Sequence, residues 1–272
     1  MQWTKKDIIE YYNTNDWAYR LWGRDMHFGY WDESTKTLQQ ATQKFNEVLA
    51  QTAHINENDH ILDAGCGVGG GSIYLAKNYG CHVTGITITP RQVELAYKNA
   101  KKDGVAHLTE FYEMDYQRTA FKDKQFDVVW GLESICYAES KEEFIKEAYR
   151  VLKDNGRLVV ADGFASKEDY FGKDKELMTR WLDGWIVNHL NTPQNFKQFA
   201  SNAGFRKSNY RDVTKSVYRT SQLMFYVSFL FLPFHLIDKF IRIKSYPTDA
   251  LFNQYKAIKK GLWEYGVFYA EK

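Results

Sequence analysis

The stretch LDAGCGVGG, residues 62–70, decides the fold of this chain. Its first three residues end a short apolar stretch at 60–64 that is typical of a buried strand, and its glycines lead into a helical pattern at 72–79. Glycines allow a tight turn between strand and helix and let a ligand lie against the backbone. The helix that opens after the loop adds backbone N–H groups that have no partner inside the helix. The sequence therefore predicts a ligand-binding loop at the carboxyl end of a strand.

The spacing of the glycines and the position of the acid separate this loop from two phosphate-binding loops. A dinucleotide-binding loop has the pattern G-x-G-x-x-G and an acidic residue at the end of the second strand. A P-loop has Gly-Lys-Ser/Thr after its glycines, and no such triplet follows Gly70. Here an acidic residue, Asp63, stands before the first glycine. That order suits a ligand with a positively charged amino-acid end.

Strand-like and helix-like segments alternate on both sides of the loop. The strands are nearly continuous apolar runs, which favours a mostly parallel sheet with helices on both faces. Strands are expected at 60–64, 81–86, 108–113, 126–131, 157–162, 205–213 and 263–270. Helices are expected at 34–52, 72–79, 90–102, 141–152 and 192–203. The sequence therefore predicts an α/β fold with a seven-stranded sheet.

Four segments within residues 60–162 resemble, in order, the motifs of the class I S-adenosylmethionine-dependent methyltransferases. They are the glycine-rich loop, Asp115-Tyr116 after the third strand, the fourth-strand segment 126–134 and the fifth-strand segment 152–160. The resemblance implies a Rossmann-like sheet and S-adenosyl-L-methionine as the cofactor, with Asp115 at the adenine amino group. The residues that it implies for cofactor binding are Asp63, Ala64, Gly65, Gly67, Gly69, Asp115, Tyr116 and Leu132.

The sequence departs from the family pattern at one position, and this departure limits the resemblance to a few groups within the family. Most members end the second strand with Asp or Glu, which holds the ribose hydroxyls, whereas this chain has Thr87 in VTGITITPRQV. Such a stretch is similar to those of the tocopherol, sterol side-chain and cyclopropane-fatty-acid methyltransferases. In that group the hydroxyl of Thr87 and the amide of Gln92 would face the ribose, since each can hydrogen-bond to hydroxyls. The alternative for Gln92 is an exposed helix position.

The segment HFGYW, residues 27–31, resembles the stretch before the core in small-molecule and prenyl-lipid methyltransferases. The resemblance implies that Gly29 or Tyr30 contacts the carboxylate at the methionine end of the cofactor. Tyr11 and Trp22, earlier in the chain, are expected to line the acceptor pocket. The alternative is that these large side chains only pack a helix against the sheet.

Aromatic residues are abundant and unevenly placed. The 272 residues include 18 Phe, 8 Trp and 19 Tyr, or 17%, which excludes a disordered chain. Only 13 of them fall in residues 32–163, so the excess belongs to the flanks, where an aromatic-rich helical cap is expected. The expected parts are an N-terminal helical cap segment at 1–57, a cofactor-binding core at 58–163, and the end of the sheet at 164–272 with cap insertions at about 164–190 and 215–258.

Charge is nearly balanced over the whole chain and unbalanced in one segment. With 36 Lys and Arg against 34 Asp and Glu, the chain has no basic field for nucleic acid. Residues 215–260 hold eight Lys or Arg, two Asp and the apolar run LMFYVSFLFL at 223–232. A membrane span needs about 20 apolar residues, so this run is too short to be one. It suits a lid over an apolar tail with an anionic head, or peripheral contact with a membrane surface. The alternative is a packed helix with a solvated basic face.

Several residues are candidates for chemistry at the acceptor. Glu133 follows the fourth strand, where the transferred methyl group is expected, and it is the best candidate for a base or an orienting group. His189, Tyr137 and His27 are weaker candidates, because a lone His is more often a polar pocket or surface residue. Trp185 and Phe225 are expected to line the acceptor pocket. No metal-ligand spacing is visible in the sequence.

The sequence predicts methyl transfer to a small acceptor that is bulky and partly apolar. C-methylation of a prenyl, lipid-like or natural-product substrate is one hypothesis, and N- or O-methylation of a small amine or secondary metabolite is the other. A non-catalytic cofactor-binding or lipid-carrier protein is a third. Three cysteines and an N-terminus without an apolar signal segment favour a reducing, cytoplasmic location. The acceptor atom and the oligomeric state stay open.

Overall fold

The structure, a computed structural model, describes residues 2–230 and 248–272, apart from the side chains of 16–22, 230, 248 and 249. Helices α1 to α9 are Lys5–Trp22, Leu38–Thr52, Gly70–Tyr79, Pro90–Lys102, Lys141–Val151, Gly172–Gly184, Pro193–Ala203, Thr214–Leu230 and Thr248–Lys259. Strands β1 to β7 are His60–Ala64, His82–Thr87, Thr109–Glu113, Phe126–Leu132, Leu152–Ala165, Lys207–Asp212 and Trp263–Glu271.

The strands form one seven-stranded sheet in the order β3-β2-β1-β4-β5-β7-β6. Strands β1 to β5 are parallel, and β7 runs antiparallel to both of its neighbours. This confirms the predicted Rossmann-like, mostly parallel sheet. Strand β1 is the point where the strand order reverses, because β2 lies on one side of it and β4 on the other. Ligands of open α/β sheets bind in the crevice outside the carboxyl ends of the strands at such a point.

The sheet separates two apolar cores, which explains why its strands are apolar along both faces. Ile61 of β1 packs in one cluster with Phe45 of α2, and the next residue, Leu62, packs in the other with Phe144 of α5. Successive strand side chains point to opposite faces, so a strand buried on both sides needs apolar residues at every position. Helices therefore cover both faces, as predicted.

Helix starts follow from local hydrogen bonding. Thr37 and Gln40 form a capping box at the start of α2, in which the Thr37 hydroxyl accepts from the backbone N–H of Gln40. Thr192 accepts from the N–H of Asn195 at the start of α7, and Pro193 occupies the first helical position. These caps fix the expected helices at their predicted places.

Strand β5 differs from its prediction. The expected turn at Asn155-Gly156 lies inside the strand, which begins at Leu152. Asn155 has φ +63°, and the pairing with β4 shifts between Phe126 and Val128. Asparagine tolerates the left-handed region better than most residues. The two residues that predicted a turn therefore form a bulge, and the strand continues through it.

The aromatic-rich flanks supply helices over the carboxyl end of the sheet. Helix α1 comes from the N-terminal flank, and α6, α8 and α9 come from the C-terminal one. Helix α2, in contrast, packs directly on the sheet through Phe45 and Leu49. Among the described residues, no helix has both the length and the apolar character to cross a bilayer.

Burial of Phe45 predicts a large contribution to stability. Its side chain is 0% exposed, so Phe45→Ala leaves a cavity that should lower the free energy of unfolding by about 3–5 kcal/mol. Phe171→Ala is the matched control, because Phe171 is 79% exposed and its truncation should change stability by less than about 0.5 kcal/mol. Urea unfolding of the two variants measures both values. Equal losses would contradict the assignment of Phe45 to the core.

Candidate active site

A cavity of about 470 Å³ lies at the carboxyl ends of β1, β2 and β4. One side is formed by the glycine-rich loop together with Thr87, Gln92 and the segment 24–28, and the opposite side by apolar side chains of α6, α8, α9 and β7. Helix α1 closes the space with Ile8, Tyr11, Tyr12 and Asn15. The residues expected at a cofactor and those expected at an acceptor therefore meet in one space.

The glycine-rich loop has the backbone geometry that its composition predicts. Gly65, Gly67 and Gly69 have φ values of +92°, +53° and +87°. A Cβ on Gly65 would lie 2.9 Å from the Ser134 hydroxyl oxygen, so only glycine fits beside the end of β4. Gly65 and Gly67 line the cavity, whereas Gly69 packs against Ala96 below the loop.

Ser134 connects the ends of β1 and β4. Its hydroxyl donates to the carbonyl oxygen of Ala64 at 2.5 Å, and its own carbonyl oxygen accepts from the Tyr116 hydroxyl at 2.8 Å. Ala64 is therefore a structural contact behind the cavity wall, while Tyr116 and Leu132 line the cavity.

Asp63 is a buried carboxylate at the cavity wall. It accepts from the Ser72 hydroxyl at 2.5 Å, and burial raises its pKa to about 6, against the opposing effect of that hydrogen bond. A Cβ on Gly71 would lie 3.5 Å from both Asp63 Oδ2 and the indole nitrogen of Trp130. That indole N–H has no hydrogen-bond partner within the described part of the chain. Sequence reasoning missed Trp130, because an apolar strand position gives no sign that its polar atom faces a ligand site.

Thr87 and Gln92 both line the cavity, and they contact each other. The Thr87 hydroxyl donates to the side-chain carbonyl oxygen of Gln92 at 2.7 Å. The pair places a hydroxyl oxygen and an amide NH₂ at the end of β2, where most family members carry an acid. Both groups can bond to hydroxyls of a ligand.

Asp115 does not lie at the cavity wall. Its carboxylate pairs with Lys5 of α1 and accepts from the backbone N–H of Gln117 at 2.9 Å. Both oxygens therefore already have partners, which argues against the expected contact to adenine in this arrangement. The neighbouring Tyr116 reaches the cavity instead.

The segment 27–31 does not lie where the resemblance implies. Gly29 donates its N–H to the Thr220 hydroxyl at 3.1 Å, and a Cβ there would lie 2.5 Å from Ala41 Cβ. Tyr30 donates its N–H to the Ala41 carbonyl, and its ring packs on Phe45. Neither residue lines the cavity, because the segment turns these positions toward α2. The residues just before them, 24–28, line it.

Glu133 stands between the two sides of the cavity. Its Oε1 accepts from the Phe28 N–H at 2.5 Å and from the Tyr265 hydroxyl at 2.6 Å. Its backbone has φ +48°, a strained value for a residue with a side chain. Burial raises its pKa to about 8, against the two hydrogen bonds, and the nearby Asp162 carboxylate raises it further. A carboxyl group that titrates near neutral pH suits proton transfer.

The other three candidates for chemistry differ in position. Tyr137 lines the cavity, with its ring 5.8 Å from that of Tyr12. His27 also lines it and donates from Nδ1 to the Phe28 carbonyl at 2.8 Å, and burial lowers its pKa, which favours the neutral ring. His189 is exposed and does not line the cavity, so it is not placed to act as a base. Desolvation and the nearby Lys141 lower its pKa to about 4.

The acceptor side has a mainly apolar and aromatic wall. Tyr11 and Trp185 line the cavity as expected, and the side chain of Trp22 lies outside the described residues. Phe225 does not line the cavity; it stacks on Phe252 of α9, with 5.1 Å between ring centroids. The outer positions of the wall are taken instead by residues that the sequence did not single out, namely Trp181, Leu182, Val187, Leu190, Met224, Val227, Leu251 and Trp263.

Titratable side chains do not gather into a metal site in the part of the chain that the structure describes. No three His, Cys, Asp or Glu residues there are grouped closely enough to hold an ion.

Residues 62–160 match a protein family described as a methyltransferase domain. The match covers the loop, Thr87, Tyr116, Glu133 and Ser134, the residues around which the cavity is built. This part of the chain is a class I methyltransferase domain. Asp63 fits S-adenosyl-L-methionine, the cofactor of that class, because the cationic ammonium of the methionine end would compensate the buried carboxylate.

The matches to two curated relatives are longer than the methyltransferase domain itself. The chain is 38% identical over 143 residues to 27-O-demethylrifamycin SV methyltransferase of Amycolatopsis mediterranei, covering 53% of each chain. It is 35% identical over 212 residues to 2-methyl-6-phytyl-1,4-hydroquinone methyltransferase of Synechocystis sp., covering 76% of this chain and 61% of that one. The chain thus spans less than two thirds of the length of either relative.

A solved structure shares the fold of the methyltransferase domain and its flanks. It is the [4+2]-cyclase SpnF, which superposes with a TM-score of 0.82, is 21% identical, and covers 100% of this chain and 97% of its own. At that identity the likeness shows the fold alone, including the cap helices around the sheet.

The methyltransferase domain should not tolerate a side chain at Gly65. We expect Gly65→Ala to weaken binding of S-adenosylhomocysteine at least tenfold in calorimetric titration and to destabilise the protein, because the new methyl group collides with Ser134. Gly104→Ala is the control: its φ of +78° imposes a similar backbone cost, about 1 kcal/mol, but the space around a Cβ is open. If both variants bound the ligand equally, the close approach of Gly65 to Ser134 would not matter for the site.

Proposed function

We propose that this protein transfers a methyl group from S-adenosyl-L-methionine to a bulky, partly apolar small-molecule acceptor. One observation carries the proposal: a single cavity joins the glycine-rich loop to an aromatic wall, with the carboxyl group of Glu133 between them. The two curated relatives described above carry methyltransferase names that specify large organic acceptors, a rifamycin and a phytyl hydroquinone. The mainly apolar wall of this cavity suits the apolar part of an acceptor of that kind.

The cofactor supplies an activated methyl group on a sulfonium, and the chain supplies binding and alignment. Asp63 receives the ammonium of the methionine end, and Thr87 with Gln92 receives the ribose hydroxyls. The loop glycines let the cofactor lie against the backbone. Helix α1 covers the space and excludes water, which keeps the nucleophile aligned for in-line displacement.

The acceptor lies along the wall formed by α6, α8, α9 and β7. Trp181 stacks on Trp263 at 4.5 Å between ring centroids, so the wall presents broad apolar faces. Three buried polar atoms near it, Trp181 Nε1, Trp185 Nε1 and Gln254 Oε1, lack hydrogen-bond partners among the described residues. Leaving such groups unpaired costs about 1–3 kcal/mol each. An acceptor with one polar substituent on an apolar body would offset that cost.

Glu133 takes the proton that the acceptor loses. A carboxylate accepts a proton from carbon, nitrogen or oxygen, so this role fits both hypotheses on the acceptor atom. C-methylation of a prenylated ring is favoured by the apolar wall and by the phytyl hydroquinone relative. O-methylation is the second candidate, favoured by the relative with the higher identity. Identification of the methylated atom by NMR of the product separates the two.

The pH dependence of turnover tests the role of Glu133. In the cofactor-free protein the carboxyl is mostly protonated below a pH of about 8 and cannot accept a proton. The kcat/KM for S-adenosyl-L-methionine reports this free form, so it should rise with pH toward a plateau with a midpoint near 8. Glu133→Gln should remove this rise and lower kcat about 10²–10⁴-fold. Tyr265→Phe removes a hydrogen bond that stabilises the carboxylate, so it should move the midpoint to higher pH while a plateau remains. An unchanged profile in both variants would exclude Glu133 as the base.

The acceptor class is tested with Trp185→Ala and a panel of acceptors. Against a prenylated hydroquinone, a macrocyclic phenol and sarcosine, we expect turnover of the two apolar acceptors and little of sarcosine. Trp185→Ala removes apolar contact area from the wall, so kcat/KM for the apolar acceptors should fall about 10–100-fold. Affinity for S-adenosylhomocysteine should stay within about twofold. Preferential turnover of sarcosine by the unmodified protein would contradict the assignment.

A further inference from the structure

Helix α8 exposes large apolar side chains on the side away from the cavity. Leu223, Tyr226 and Phe229 are 37%, 59% and 47% exposed, and they follow one another at intervals of three residues, so they form one ridge. The rings of Tyr226 and Phe229 both contact Phe225, which itself packs on Phe252 of α9. The ridge is therefore the outer edge of an aromatic cluster that joins α8 to α9.

The described side chains of the two helices and of Lys260, just after α9, include cations and no acids, and the side chain of Asp249 in α9 lies outside the described residues. Residues 214–230 and 250–260 contain no Asp or Glu. All five basic side chains there are exposed, namely Lys215, Arg219, Lys256, Lys259 and Lys260. One of them touches the aromatic cluster directly, since the Lys256 ammonium lies 3.9 Å from the centroid of the Phe252 ring. Two have partners elsewhere, Arg219 over the Trp31 ring and Lys260 with Asp174.

We propose that the α8–α9 face docks on the surface of an anionic lipid bilayer. A helix with exposed aromatic residues beside basic ones lies in the interface, with rings at the acyl boundary and cations at the phosphates. Cations near an anionic membrane surface add electrostatic attraction to this burial. Both features point to lipid and not to a second copy of this chain, because two copies would bring like charges, among them those of Lys215, Lys256 and Lys259, face to face.

The same helix pair also forms part of the cavity wall. Met224 and Val227 of α8 and Leu251 of α9 line the cavity, while Tyr226 and Phe229 point outward. A bilayer against the outer face would therefore lie one helix away from the acceptor. This step rests on the proposed function, and it implies an acceptor that partitions into lipid.

Flotation of the full chain with lipid vesicles tests the docking. We expect binding to vesicles of phosphatidylcholine with 30% phosphatidylglycerol, weaker binding to pure phosphatidylcholine, and loss of affinity as NaCl is raised, since salt screens the cations. The double variant Tyr226→Ser/Phe229→Ser should weaken binding to the anionic vesicles at least tenfold. Phe171→Ser, an exposed phenylalanine outside both helices, is the matched control and should bind like the unmodified protein.

Three results would overturn the docking proposal. They are no binding to anionic vesicles, equal loss in the Phe171→Ser control, and a concentration-dependent dimer in sedimentation that the double variant abolishes. Titration of the same samples with S-adenosylhomocysteine, without vesicles, keeps the two proposals apart. Normal cofactor affinity with no vesicle binding removes the docking alone, whereas vesicle binding with no cofactor affinity removes the proposed function alone.

Discussion

The close approach of β1 and β4 at their carboxyl ends is the constraint on which the site depends. Gly65 leaves β1 in a conformation that favours glycine, and it lies so near Ser134 that no larger residue fits. Ser134 then bonds to Ala64 on one side and receives the Tyr116 hydroxyl on the other. Because Glu133 immediately precedes Ser134, the contact that shapes the glycine-rich loop also positions the acid. The contact between Gly65 and Ser134 therefore positions both the cofactor-binding side and the reactive side of the cavity.

Burial of the Glu133 carboxyl group and the positive φ of its backbone both cost free energy, and three hydrogen bonds to this residue offset part of that cost. Phe28 donates from the segment before α2, Tyr265 donates from β7, and the backbone N–H of Glu133 itself donates to Ala161 on β5. The bonds from Phe28 and Tyr265 oppose the burial that raises the pKa of the carboxyl group, and the bond to Ala161 holds the backbone. Strained backbone and a perturbed carboxyl group at one residue are expected where function, and not stability, has selected the position. The two apolar cores on either side of the sheet supply the stability that tolerates it.

The parts of the site that the sequence predicted are those that local spacing determines. The resemblance pointed to the glycine-rich loop and to Thr87 with Gln92, and these residues, like Glu133, lie within a few residues of a strand end, where the strand pattern can place them. Tyr265 could not be found this way, because it is 132 residues away from Glu133 in the sequence and is brought to it only by the pairing of β5 with β7. The predictions for Gly29 and Phe225 were wrong for another reason. A resemblance or an apolar run shows which segment approaches the cavity, but it does not show which face of that segment does.

The shared fold with a [4+2]-cyclase shows that the architecture alone leaves the reaction undecided. The buried carboxyl groups are more informative. Asp63 and Glu133 both have pKa values raised by burial, and both line the same cavity. A bound cation stabilises each of them as the anion. Under the proposed function, binding of the cofactor therefore favours the deprotonated form of Glu133, which is the form that acts as a base. An empty site keeps Glu133 protonated at neutral pH, and proton removal becomes available when the methyl donor is in place.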